Sequence, residues 1–357
     1  MEPPAGFGGS AELERALAEP GLVVLLGAVD TGKTTVALHA ANTALARGLK
    51  VGVIDADVGQ SEIGPPGTVG LALPQSPAAS AADWRPAALA FVGATSPPGR
   101  LLDVVVGTRR MVDEARHRGA ELVIVDTSGL VHGAAALKLK LAKLELLQPT
   151  TILALRRGRE LDPMLRLAPA VCHAAVLSLT PAAQAVPKAP ALRRARRAAR
   201  FAHYLREARP HLIDPRRVPI MDGWLFTGRP LEPPRLRAVA TTLGRDVLYG
   251  EETVDGIRLV TRGSAPPLHP ADRADLFGGR RVAVTPSTVF QNLLVGLLEE
   301  GGRLAEIGII QQVDFAGRRL RVLSPLRGEG ALRGLRYGRV RLRPDGTEIG
   351  PVRPGDL

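Results

Sequence analysis

Five apolar residues, Leu22-Val-Val-Leu-Leu26, run without a break into Gly27-Ala-Val-Asp30-Thr31-Gly32-Lys33-Thr34 and then into a helix-forming stretch from Thr35. This join constrains the fold more than any other part of the chain. A strand covered on both faces reads as a continuous apolar run, and G-x-x-x-x-G-K-[ST] between such a strand and a helix is a phosphate-binding loop. The glycines let backbone N–H groups close around phosphate oxygens, and the helix N-terminus adds positive potential. Lys33 has the reach for β and γ phosphates, and the Thr34 hydroxyl suits a magnesium ion. The expectation is that Gly27, Asp30, Thr31, Gly32, Lys33, Thr34 and Thr35 cradle a nucleoside triphosphate.

The same texture recurs. Apolar runs at Val51–Ile54, Leu89–Val92, Leu122–Val125, Ile152–Leu155 and Val176–Leu179 alternate with amphipathic stretches. This predicts an α/β domain, a doubly wound parallel sheet covered by helices. A short helix near Ala11–Ala18 precedes it, and Leu71–Pro86, rich in Ala, Ser and Pro, reads as a surface loop. From Pro215 the pattern changes to alternating segments with glycine turns, as in Leu293–Leu298, Ala305–Val313, Arg318–Leu323 and Arg339–Arg343, with few helix signals. The expected division is a P-loop domain over 1–212 and a C-terminal, mostly antiparallel β domain over 213–357.

A length of 357 residues leaves room for two domains, and 45% hydrophobic with 23% charged residues is ordinary for a soluble protein. The start, Met1-Glu2-Pro3-Pro4, lacks the pattern of a signal peptide, and no apolar run approaches the ~18 residues of a membrane span, so the chain reads as cytoplasmic. The single cysteine, Cys172, excludes an intramolecular disulfide and a multi-thiolate zinc site, and reads as a small core residue. A net charge of +12 favours a polyanionic partner, because clustered cations release condensed counterions from nucleic acid. Genomic bias in an Ala-, Gly- and Pro-rich chain gives the same excess. Where the arginines lie therefore carries more weight than their number.

Two further strand ends carry acids. Val53-Ile-Asp55-Ala-Asp57-Val-Gly59-Gln60 puts two carboxylates at alternate positions, sharing a face at the sheet edge where α/β proteins bind ligands. Such groups hold magnesium directly or through water, or accept a proton from an attacking hydroxyl. The alternative is that they cap a loop. Leu122-Val-Ile-Val-Asp126-Thr-Ser128-Gly129 has the form of a Walker B strand and also of the D-x-x-G switch of GTPases. The only asparagines, Asn42 and Asn292, are not followed by lysine, so the guanine-reading Asn-Lys-x-Asp element is missing and a conventional GTPase is disfavoured.

Together, Gly27–Thr35, Asp55–Gln60 with Pro65-Pro66-Gly67-Thr68-Val69-Gly70, and Asp126–Gly129 resemble the polynucleotide 5′-hydroxyl kinase family. That family includes the pre-mRNA cleavage-complex kinase, ribosomal-RNA-processing kinases and archaeal relatives. The resemblance covers roughly Gly21–Leu205 and, more weakly, the β domain through Asp345. It implies transfer of the γ-phosphate of ATP, with Mg²⁺, to the 5′-hydroxyl of RNA or DNA. Lys33 and Thr34 match the triphosphate and metal positions, and Asp57 the acid that activates the hydroxyl. Asp55 would be a supporting carboxylate, and Gln60 would help order the metal shell.

By the same resemblance, Gly93-Ala-Thr95-Ser96-Pro97-Pro98-Gly99 looks like the family's clasp, with Thr95, Ser96 and Gly99 near the acceptor end; an ordinary turn has the same composition. Lys188–Arg206 resembles the lid. Arg193, Arg197 and Arg200 recur at helical spacing on one face, with Arg194 and Arg196 between them. Arginines so crowded call for an anion opposite, and a phosphoryl group in flight suits guanidinium, with Arg193 or Arg197 at the transferred phosphate and Arg194 and Arg200 toward the acceptor. A solvated basic helix is the plainer reading. Asp126, Ser128 and Leu130 fall at the family's acceptor position, but Leu130 stands where eukaryotic relatives have a stacking tryptophan. In the β domain, Arg319-Leu-Arg321 and Arg339-Val-Arg341-Leu-Arg343 alternate with apolar residues, which suits either a nucleic-acid face or solvated arginines. Two rival functions stay open: a non-catalytic ATP-binding scaffold in RNA processing, and a small-molecule kinase or ATPase.

Overall fold

The computed structural model describes residues 10–182, 189–264, 267–353 and 355–357. The chain divides into two compact units, Met1–Arg200 and Phe201–Leu357.

The first unit contains, in order, α1 (Ser10–Ala16), β1 (Gly21–Gly27), α2 (Lys33–Ala46), β2 (Val51–Ala56), β3 (Thr68–Ala72), β4 (Ala88–Phe91), α3 (Leu101–His117), β5 (Leu122–Thr127), α4 (Ala134–Leu147), β6 (Thr151–Leu155), α5 (Asp162–Leu167), β7 (Ala175–Leu179) and α6 (Pro190–Tyr204). The strands form one sheet in the order β4-β3-β2-β5-β1-β6-β7. Five of them, β2, β5, β1, β6 and β7, are parallel; the apolar runs of β2, β5, β1 and β6 are buried between two helical layers, while the edge strand β7 is largely exposed. One apolar face packs with α1 and α2 through Leu13, Val36, Ala40, Val53 and Ile124. The other packs with α3, α4 and α5 through Ile54, Val112, Val125, Leu139 and Met164.

Two expectations change here. The Leu89–Val92 run does not join the parallel set directly. It is β4, paired antiparallel to β3, which is itself antiparallel to β2. The segment 71–86 is more than a surface loop: it begins in β3, and Ser80 and Asp83 form a reciprocal capping box around a 3₁₀ turn at Ala81–Asp83. Trp84 is buried beside it, packed with α2.

The second unit contains β8 (Arg209–Ile213), β9 (Ile220–Met221), β10 (Arg229–Pro230), α7 (Pro233–Leu243), β11 (Val247–Thr253), β12 (Gly256–Thr261), α8 (Pro270–Phe277), β13 (Val282–Pro286), β14 (Leu293–Leu298), β15 (Leu304–Asp314), β16 (Arg319–Ser324), β17 (Gly334–Leu342) and β18 (Glu348–Pro351). One sheet runs β10-β11-β12-β13, and a larger one β18-β17-β14-β15-β16-β8 with β9 on β17. Pairing is antiparallel except for β12–β13 and β9–β17.

The division falls within α6, and β8 pairs with β16 in the second unit. Helices α7 and α8 were not expected, although each starts on proline and stops at a left-handed glycine, Gly244 and Gly278. Among the described residues, no helix is long and apolar enough to cross a membrane. Cys172 is buried and free, as a core residue should be.

Candidate functional site

Parallel strands deliver their C-terminal ends to one edge of the sheet. Register places Leu25 of β1 beside Asp126 of β5, and Asp126 beside Asp55 of β2, so the phosphate loop and both acidic strand ends meet there. Gly27 closes β1. Asp30 and Gly32 both have positive φ, 56° and 87°, alternating with Thr31 in a conformation that turns successive N–H groups into a concavity for an anion. Lys33 Nζ donates back across the loop to Ala28 O at 2.7 Å, and Arg157 Nη2 donates to Asp30 O at 3.1 Å.

A cavity of about 430 Å³ opens at this edge, within the range of small-ligand sites. Its lining includes Asp30, Gly32, Lys33, Thr34 and Thr35 from the loop and α2, Asp57, Gln60 and Glu62 after β2, and Asp126 with Gly129 after β5. Thr34 Oγ1 donates to Asp126 Oδ2 at 2.5 Å, while Asp126 Oδ1 is buried and has no hydrogen-bond donor among the described residues. Burial raises the Asp126 pKa, opposed by Lys33 and by the Thr34 hydrogen bond. Burial lowers Lys33, with Asp126, Asp57 and Asp30 pulling the other way. A hydroxyl, a carboxylate oxygen without a donor and the nearby Asp57 and Gln60 are hard oxygen donors, the set that fits magnesium. A Cβ at Gly129 would lie 2.6 Å from the Val29 backbone, so only glycine lets the β5 end close against the phosphate loop.

The two acids of β2 separate in role. Asp55 is buried and absent from the cavity wall; Oδ1 accepts the Asp57 N–H at 2.9 Å, and Oδ2 accepts those of Glu62 and Ile63 at 2.5 and 3.1 Å. Burial, with Asp126 and Asp57 nearby, pushes its pKa up to about 7. Asp55 thus orders the loop, which is the capping alternative, and its expected place among the metal ligands has no geometric support. Asp57 accepts the N–H groups of Gly59 and Gln60 at 3.0 and 3.1 Å through Oδ1 and lines the cavity.

The clasp residues Thr95, Ser96 and Gly99 lie off the cavity wall, in the turn between β4 and α3. The turn abuts the Asp57 loop: a Cβ at Gly59 would sit 2.7 Å from Thr95 O. Ser128 is buried, and Leu130 packs half-buried against the core; neither lines the cavity.

Of the lid, Lys188 lies outside the described residues. Arg193, Arg197 and Arg200 are the half-buried arginines of α6, whereas Arg194 and Arg196 are exposed. Arg193 pairs with Asp30 at 3.3 Å, and its carbonyl lies 3.5 Å from Gln60 Nε2; Arg200 pairs with Glu62 at 3.4 Å. The arginine on the cavity wall is Arg196, to which no role was given from the sequence.

Sequence reasoning also missed the cavity's flank and two buried lysines of α4. Ala79, Ser80 and Ala81 line the flank, pinned to α2 because Asn42 Nδ2 donates to Ala78 O at 2.8 Å while its Oδ1 accepts the Ala78 N–H at 3.0 Å. Lys140 and Lys143 of α4 are fully buried, and Lys140 Nζ donates to Thr127 Oγ1 at 2.7 Å, next to Asp126 in the chain. Their signal was present: Ala136, Leu139, Lys140, Lys143, Leu144 and Leu147 recur at three- and four-residue spacing, which puts both lysines on the buried stripe of α4. In the second unit, Arg319 and Arg321 are exposed as alternation predicts, but Arg341 Nη1 donates to Thr288 O, so that part of the Arg339–Arg343 stretch is tied into the fold.

The family described as mRNA cleavage and polyadenylation factor CLP1 P-loop matches residues 27–207. A polyribonucleotide 5′-hydroxyl-kinase of Pyrococcus furiosus is 30% identical over 335 residues, covering 94% of this chain and 91% of its own. One of Thermococcus kodakarensis is 30% identical over 340 residues, covering 95% and 93%. Among solved structures, the chain is similar in fold to one in the wild-type Clp1p–Pcf11p complex, with a TM-score of 0.59 and 14% identity over 93% of this chain and 77% of that one.

Proposed function

This chain belongs to the CLP1 P-loop family, and from that premise we propose that it is a polynucleotide 5′-hydroxyl kinase, moving the γ-phosphate of ATP to a 5′-hydroxyl end in the cytoplasm. RNA is the acceptor class, in keeping with the names of its relatives. The observation that carries this reading is the meeting of Lys33, Thr34, Asp57, Asp126 and Arg196 around one cavity.

In this mechanism the backbone concavity of residues 27–33 and Lys33 bind the β and γ phosphates. Mg²⁺, held by Thr34 and, directly or through water, by Asp126, Asp57 and Gln60, would neutralise charge on the phosphate oxygens. Asp57 orients the 5′-hydroxyl and takes its proton as the new O–P bond forms. The bond from the γ-phosphorus to the bridging oxygen breaks, its electrons leave with ADP, and Asp57 returns the proton to solvent. Arg193, Arg196 and Arg197 of the lid stabilise the equatorial oxygens, while Arg194 and Arg200 with the Thr95–Gly99 turn guide the acceptor strand. Leu130 leaves this acceptor site without an aromatic stacking surface, which is the observation favouring a scaffold that binds ATP without transferring it.

Transfer of labelled γ-phosphate to 5′-hydroxyl RNA and DNA oligonucleotides decides between them. The kinase reading expects label on RNA with the wild type and its loss in Asp57→Asn and Lys33→Ala. Tight ATP binding with no label on any end overturns it in favour of the scaffold, and an equal rate in Asp57→Asn removes that residue as the base.

A further inference from the structure

Lysine is almost never fully buried unless its amine finds partners, because polar hydrogens taken out of water must be bonded again inside. Lys140 of α4 is 0% exposed and finds two: Nζ donates to Thr127 Oγ1 at 2.7 Å and to the Ser128 carbonyl at 2.5 Å. The Thr127 hydroxyl passes its own hydrogen to Leu25 O at 2.6 Å. One amine thus ties α4 to the end of β5 and, through Thr127, to β1 just before the phosphate loop. Burial, then the neighbouring Lys143, pushes the Lys140 pKa well below the ordinary lysine value. A neutral amine has two N–H bonds, which matches its two acceptors.

The bond to Ser128 O also sets the direction of the next N–H. Among the described residues no peptide is cis, and in a trans peptide the C=O and the following N–H point opposite ways. With Ser128 O drawn toward Lys140, the Gly129 N–H faces away from that amine. Gly129 lines the cavity, and it approaches the phosphate loop so closely that a Cβ would lie 2.6 Å from Val29 N. Its N–H donates to no backbone oxygen among the described residues, nor to Asp126 Oδ1 or Ser128 Oγ beside it. An open backbone N–H at such a wall is the kind of donor from which anion sites are built. Asp126, on the same strand end, accepts from Thr34 at 2.5 Å, so the donor stands where Thr34 and Asp126 would hold the metal.

We propose that Lys140 is a positioning residue: by holding the Ser128 carbonyl, it aims the Gly129 N–H into the cavity as a donor to the terminal phosphate of the nucleotide. The site then tells a triphosphate from a diphosphate through its backbone, independently of the metal. Once the terminal phosphate has moved to the acceptor, the diphosphate left behind lacks this contact and leaves more readily. The inference rests on the proposed reading of the cavity as a nucleotide site.

The test is equilibrium binding of fluorescent ADP and of the fluorescent β,γ-imido analogue of ATP to the full chain, with Mg²⁺ and again with EDTA, in wild type and Lys140→Met. The substitution removes the amine with little change in volume. Wild type is expected to prefer the triphosphate analogue in both conditions. In the variant, affinity for the analogue is expected to fall about tenfold, the worth of one hydrogen bond to a charged group, while ADP affinity stays within about twofold. Equal losses for the two nucleotides make Lys140 a purely structural support and overturn the proposal, as does an unchanged preference. A loss confined to Mg²⁺ overturns it too, by assigning the effect to the metal. Should Lys140→Met not fold, Lys140→Leu carries the same comparison, and failure of both to fold replaces the aiming role with a structural one. A wild type that binds neither nucleotide defeats the reading of the cavity itself, whereas equal losses in the variant defeat this inference alone.

Discussion

The phosphate loop, residues 27–35, and the arginine helix α6 contribute to the same cavity but are held by different means. The loop is built from backbone. It springs from the buried strand β1, its φ angles alternate in sign, and Gly129 packs against it with no room for a Cβ. The helix is held by side chains: it buries only Phe201 fully, and its ties within the first unit include Arg193 to Asp30 and Arg200 to Glu62. Ion pairs of this exposure are worth roughly 0–1 kcal/mol each, so exchanging Asp30 for phosphate oxygens costs little. A preorganised loop and an exchangeable lid suit a reaction that must hold its donor before closing over it.

This comparison can be broken at four points. Lys33→Ala should have the largest effect, lowering labelled transfer about 10³-fold in single-turnover assays, because it removes a charge from the preorganised side. A loss below tenfold would mean that the loop backbone suffices. Next, Arg196→Gln on the cavity wall should lower kcat about 10²-fold, whereas Arg194→Gln, exposed and away from it, should leave kcat within about twofold and raise the KM for the acceptor strand. Equal losses would make α6 a general basic surface instead of a lid. Gly129→Ala should destabilise the first unit by about 1–3 kcal/mol by overpacking against Val29, seen as a lower Tm. An unchanged Tm would show that the loop can yield. Smallest, Arg200→Gln should change stability by at most about 1 kcal/mol in denaturant titration, and a larger loss would make the lid as firmly built as the loop.

Strands and the phosphate loop were legible because their signals are local. A continuous apolar run and a glycine-lysine turn impose their geometry on neighbours in the chain, and β1, β2, β5, β6 and β14 fall where the runs are. β3 was not legible: Thr68–Ala72 follows Pro65-Pro66-Gly67 and is short, and it became a strand only by pairing between β2 and β4. The helices α7 and α8 carried proline and glycine stop signals in a stretch whose alternation argued for strands.

At the site, the residue types were fixed by the chain itself, since phosphate, metal and proton transfer each demand particular atoms: Lys33, Thr34, Asp57 and Asp126 could be named from sequence. Their division of labour was not. Asp55 and Asp57 are alike in the sequence, and only the path of the backbone after β2 gives one to the loop and the other to the cavity. The rotation of α6 decides that Arg196 reaches the wall, and the packing of α4 decides that Lys140 reaches Thr127 Oγ1 and the Ser128 carbonyl. Local chemistry is written residue by residue, but burial and charge balance are properties of elements brought together from distant parts of the chain.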